Sequence, residues 1–135
     1  MRKVFADTFY WIALANPLDQ WHAPAVRAAR SLRGVTITTS DEVLNEFLAH
    51  FSGQGRLIRE AAVRYAERVL SNPSIVIRPQ THQSFLDGFA LYKARPDKAS
   101  SLTDCISMLI MRQDGIIEVL THDDHFAQEG FTKLL

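Results

Sequence analysis

Short β-branched runs alternate with stretches of helical periodicity along this sequence, and that alternation limits its fold more than any other feature. Val4–Ala6, Val35–Thr39, Ser74–Arg78 and Ile116–Leu120 each read as a strand of a few residues. Asp7, Gly34, the pair Pro73 and Pro79, and Gly115 punctuate them. Between the strands, apolar residues recur at helical spacing over 20–32, 41–51, 57–70, 81–92 and 102–112. A β-α-β-α order of this kind favours a parallel sheet covered by helices on both faces.

The chain has 135 residues, enough for one domain (1–135) but too few for two with good cores. Apolar residues make up 47% and charged residues 22%, which argues against a disordered chain. The apolar stretches are too short to span a bilayer, and the first residues meet Asp7 before any secretory run can form. The lone Cys105 makes no internal disulfide, and no Cys/His pair has zinc spacing. The expectation is a cytoplasmic protein with no membrane partner. Fifteen Lys and Arg balance fifteen Asp and Glu, a net charge of +0. Bulk charge therefore does not hold nucleic acid here, and any such contact must be local. Low self-repulsion also suits a chain that associates with a partner.

In an open parallel sheet, ligands bind beyond the carboxyl ends of the strands, where strand order reverses. Carboxylates follow the expected strand ends: Asp7, then Asp41, Glu42 and Glu46, and finally Asp123 and Asp124. Asp104 opens the helix before the last strand. Some of these have a plainer role. Thr39-x-x-Glu42 reads as a capping box, which makes Glu42 a cap. Thr121-x-x-Asp124 reads the same way and leaves Asp123 free. Asp104 divides evenly between a cap with Ser101 and a site role, and Glu46 has His50 at i+4. Asp7, set between apolar residues, needs a partner if buried. Crowded carboxylates repel unless a cation joins them. Oxygen-only ligands favour Mg²⁺ or Mn²⁺, and such an ion suits phosphodiester hydrolysis.

The segments Val4-Phe5-Ala6-Asp7-Thr8, Thr38-Thr39-Ser40-Asp41-Glu42-Val43-Leu44-Asn45-Glu46, Ser101-Leu102-Thr103-Asp104-Cys105 and Leu120-Thr121-His122-Asp123-Asp124-His125-Phe126, with Gly130-Phe131 behind, resemble the PIN domain. Within it, the chain is most similar to the VapC-like toxins of toxin–antitoxin pairs. The resemblance spans nearly the whole chain, and its last two motifs are the specific ones. It implies a three-layer α/β/α domain with a central parallel sheet of four or five strands. It implies a metal-dependent endoribonuclease acting on single-stranded RNA, with Mg²⁺ or Mn²⁺ as cofactor. The family's acidic quartet falls on Asp7, Glu46, Asp104 and Asp123, as catalytic residues and metal ligands. Thr103 and Thr8 fall where hydroxyls support the site. Implied partners are an RNA substrate, a cognate antitoxin and a second copy of the chain in a homodimer. One departure stands out: many members carry a small polar residue two positions after the first Asp, where this chain has Phe9.

Among the remaining residues, Arg56, Arg59, Arg64 and Arg68 share a helical segment with Glu60 and Glu67. They read first as a solvated face, with Arg56 and Arg59 as candidate phosphate contacts. His122 flanks the acidic turn as a further candidate for substrate contact, as does His125 for RNA or metal water. Trp11, Trp21, Phe47 and Phe51 read as core or partner-groove residues rather than base-stacking platforms. The region around Trp11 and Phe51 is expected to take an amphipathic partner helix. The alternative function is a PIN-fold module that binds RNA or protein without cutting it. Four intact acids favour cleavage. A phosphoryl-transfer receiver needs an Asp-x-Asp turn or supporting Lys, and Asp7-Thr8-Phe9 does not provide the turn.

Overall fold

The computed structural model describes residues 1–135. In chain order its elements are β1 (Lys3–Ala6), α1 (Thr8–Ala15), α2 (His22–Ser31), β2 (Thr36–Ser40), α3 (Asp41–Phe51) and α4 (Arg56–Ser71). There follow β3 (Ile75–Arg78), α5 (His82–Ala94), α6 (Leu102–Asp114), β4 (Glu118–Leu120), α7 (Asp124–Gln128) and β5 (Thr132–Lys133). The five strands form one sheet in the order β3-β2-β1-β4-β5, and every pairing is parallel. The four strands and five helices expected from sequence are present, with boundaries shifted by a few residues.

β1 is the central strand, and its residues Val4, Phe5 and Ala6 are completely buried. Buried on both faces, it reads as a continuous apolar run rather than an alternating one. The chain adds β2 and β3 on one side of β1, then returns to add β4 and β5 on the other. The reversal falls between β1 and β4, so a crevice opens beyond their carboxyl ends. Right-handed crossovers place α1–α4 on one face and α5 and α6 on the other. Consistent with this, α1 packs on α2 and α3, α3 on α4, and α5 on α6. The α5–α6 seam is tight at Gly88, where an added Cβ would lie 2.3 Å from Ile106 Cγ1.

Three elements escape the sequence pattern. Helix α1 carries TFYWIALA, with Tyr10, Trp11, Ile12 and Ala13 all buried. A helix buried nearly all round has no polar face, so no amphipathic period marks it. Helix α7 and strand β5 are only 5 and 2 residues long, too short to show any period. Trp11 and Phe51 are core residues, 3% and 7% exposed. A groove of about 330 Å³ lies next to Trp11, lined by Pro17, Leu18, Phe51, Ile58, Ala61 and Tyr65. No helix is long and apolar enough to cross a membrane.

Candidate active site

Four chain segments bring acids to the crevice. Asp7 follows β1 directly and is 1% exposed. Thr121, fully buried after β4, donates its hydroxyl to Asp7 Oδ2 at 2.9 Å. Thr121 Oγ1 also accepts the backbone N–H of Asp123 at 3.1 Å, so Thr121 locks the first acid to the loop carrying the last. Glu46 reaches in from the second turn of α3 and accepts from Thr8 Oγ1 at 2.7 Å. Asp104 stands in the first turn of α6, where its Oδ2 accepts the Ser101 N–H at 3.0 Å. Asp123 precedes α7, and its Oδ1 accepts the His125 N–H at 2.9 Å and lies 2.7 Å from His125 Nδ1.

The acids act on one another. The Asp7 carboxyl is pushed up to about 7, first by burial, then by the negative charges of Asp104 and Glu46. Asp104 is also raised, chiefly by burial, with Asp123 and Glu46 adding to the effect against its bond from Ser101. No cation is among the groups acting on either. One ligand atom from each of Asp104, Asp123 and His125 lies within 4.8 Å of the others. Glu46, Asp104 and Asp123 each spend one oxygen on protein donors. Neighbouring carboxylates with no cationic side chain acting on Asp7 or Asp104, and with oxygen to spare, are a donor set that suits a hard divalent ion.

The structure therefore brings together Asp7, Glu46, Asp104 and Asp123. Thr8 stands with them, through its bond to Glu46; Thr103 is half-buried beside Asp104. Arg56 and Arg59 do not join them. Arg56 is exposed and pairs with Glu60 at 2.7 Å, and Arg59 donates to the Ser52 carbonyl. Three cap readings need correction. Ser40, not Thr39, caps α3, accepting from the Val43 N–H at 3.2 Å. Glu42 is consequently no cap: it is 8% exposed and accepts from Ser84 Oγ of α5 at 3.1 Å. Asp123 rather than Thr121 caps α7, so Asp123 is a cap and a member of the cluster at once. Asp104 likewise does both, completing a capping box with Ser101. Two partners of the acids were not assigned from sequence. Thr121 stood out there only as a helix cap, and His125 as a candidate contact for RNA or metal water rather than as a partner of Asp123.

Fold and cluster together define a class: a small α/β domain with an acidic site at the switch point of its sheet. No family model matches the sequence. The chain is 30% identical over 136 residues to the 23S rRNA-specific endonuclease VapC20 of Mycobacterium tuberculosis, covering 97% of each. The crystal structure of that protein, described as a sarcin-ricin loop cleaving toxin, superposes with a TM-score of 0.85 at 26% identity, over 96% of both chains. VapBC2 from Rickettsia felis, bound to a DNA fragment from its promoter, shares the fold with a TM-score of 0.71 at 13% identity, covering 97% of this chain and 96% of that one. The chain belongs to the VapC-like family of PIN-domain proteins.

Proposed function

We propose that this protein is a metal-dependent endoribonuclease that cuts a single-stranded segment of RNA, and that it is the toxin of a toxin–antitoxin pair. One observation carries the reading: Asp7, Glu46, Asp104 and Asp123, brought in by four chain segments, stand close enough to act on one another's charge, with ligand atoms of Asp104 and Asp123 within 4.8 Å. The relative's action on 23S rRNA makes a structured RNA with an exposed loop the first substrate to try.

In this reading Asp7, Glu46, Asp104 and Asp123 hold Mg²⁺ or Mn²⁺. Such an ion would supply Lewis acidity toward the phosphate and a more acidic bound water. The chain's own residues do the rest. Thr121 orients Asp7 and fixes the Asp123 loop, and Thr8 orients Glu46. Ser101 holds one Asp104 oxygen and leaves the other free for a ligand. Anchoring of this kind presets ligand geometry.

The partner reading rests on apolar surface. Leu18 and Ile58 of the groove are 93% and 43% exposed, which suits the apolar face of an antitoxin helix. Phe85, Leu86, Phe89 and Tyr92 of α5 are 42–51% exposed along one helix and offer a homodimer face. The test is expression of the chain alone and together with a candidate antitoxin. The free chain slows growth and cuts RNA only with Mg²⁺ or Mn²⁺, and co-expression relieves both. An Asp104→Asn chain as toxic as the parent refutes cleavage and leaves the binding module.

A further inference from the structure

Phe9, the residue that departs from the family pattern, is 42% exposed, whereas its neighbours Thr8 and Tyr10–Ala13 in α1 are buried. Its ring meets His122, with centroids 4.6 Å apart and a tilt of 42°. His122 in turn lies flat on Trp21, with centroids 4.5 Å apart and planes 8° from parallel. Trp21 is itself anchored, because its backbone N–H donates to Asp19 Oδ1 at 2.8 Å and its side chain packs on the core. Three rings from three segments thus form one series, rooted at Trp21 and ending at a half-open Phe9.

The position of this series gives it meaning. Phe9 is two residues from Asp7 and follows Thr8, which holds Glu46. His122 stands between Thr121 and Asp123, so its Cα is one residue spacing, about 3.8 Å, from each neighbour. The rings therefore border the acids on the side formed by β1 and β4. The bound RNA also needs something to hold it. The chain has a net charge of +0, the site is acidic, and Arg56 and Arg59 make their contacts elsewhere. Where phosphate contacts are few, bases stacked on aromatic rings supply affinity, and unpaired bases are the ones free to stack.

We infer that Phe9, backed by His122 and Trp21, is a stacking platform for one unpaired nucleobase beside the phosphate to be cut. The inference rests on the nuclease reading and adds the group that positions the strand. Phe9 is a positioning residue: it touches the base and not the reacting atoms.

The test uses the full chain carrying Asp104→Asn, which leaves RNA uncut. The probe is a set of short unstructured RNAs of mixed sequence with 2-aminopurine at successive positions. Binding quenches the fluorophore at one position. Phe9→Leu keeps an apolar side chain but removes the π face; it weakens binding roughly ten- to a hundredfold and abolishes that quench. Phe9→Trp keeps both. An abasic nucleotide at the quenched position removes the difference between the parent and the F9L chain. Equal binding and equal quenching by F9L overturn the platform and leave the stack as packing. If F9L cuts RNA with the parent's KM, the platform falls while the nuclease stands. If the parent binds and cuts no RNA in any metal, both readings fall.

Discussion

Thr121 Oγ1 and Asp7 Oδ2, 2.9 Å apart, join residues separated by 114 positions in sequence, and this bond holds the two halves of the acidic site together. Thr121→Val removes the donor and leaves a buried acceptor unmatched. The expected cost is about 1–3 kcal/mol of stability. Metal affinity should fall roughly ten- to a hundredfold, the usual effect of losing an orienting partner. Thr121→Ser should restore most of both. Calorimetric titration with Mn²⁺ and thermal melts decide it: a valine variant with parental metal affinity removes Thr121 from the site's support.

The Asp7 carboxyl sets a pH dependence with a definite sign. Its value in the folded chain is about 7, against an ordinary 3.8. Between those values the folded state binds the extra proton, so metal-free stability declines as pH rises from about 4 to about 7. The span is worth at most about 4 kcal/mol, at roughly 1.4 kcal/mol for each unit. Asp7→Asn should flatten the profile and stabilise the metal-free protein above neutrality. Saturating Mg²⁺ should flatten the parent's profile too, because the cation favours the ionised carboxylate. Urea melts at stepped pH without metal make the measurement. Stability that rises with pH over this window contradicts the assignment.

Glu42 and Glu46 sit one helical turn apart on α3 and should separate cleanly. Glu46→Gln should abolish RNA cleavage and barely move the melting temperature. Glu42→Gln should leave cleavage intact, since Glu42 faces Ser84 of α5 rather than the other acids. Its Oε1 is buried without a partner, so the neutral amide should be tolerated. Ser40→Ala, which removes the true cap of α3, should cost about 1 kcal/mol. Loss of cleavage in the Glu42 variant with Glu46→Gln still active would reverse the two roles.

Gly88 tests the other layer. An alanine there gains helix propensity but drives its methyl into Ile106 Cγ1 at 2.3 Å. Overpacking of this kind costs roughly 1–3 kcal/mol. Gly88→Ala should lower the melting temperature alone and recover part of it when combined with Ile106→Ala. Simple additivity of the two changes would place the strain elsewhere.

Local chemistry made much of this molecule legible in its sequence. Asp7 follows an apolar run so directly that its place at a strand end is plain, and Ser101 with Asp104 announces the start of α6. What stayed hidden depends on distant partners. Glu42 looked like a cap because Thr39 stands three residues before it, yet the chain turns one residue later and a contact with Ser84 buries it. Asp123 looked free because Thr121 filled the cap pattern, while the Thr121 hydroxyl is engaged by Asp7. Arg56 and Arg59 carry the right charge, but charge alone says nothing of where α4 begins. Trp21 read as core, since its partner is a histidine 101 positions further along and no local period connects them.

The central place of β1 has a consequence for how the protein is made. The first strand to leave the ribosome waits in the middle of the sheet for β4, whose residues 118–120 follow almost all of the other secondary structure. Until β4 docks, Asp7 lacks Thr121 and Asp123 is nowhere near it. Long-range pairings of this sort form late, after the loop between them has closed. A nascent or half-folded chain therefore carries all four acids without bringing them together, and the cluster assembles only when the last strands dock.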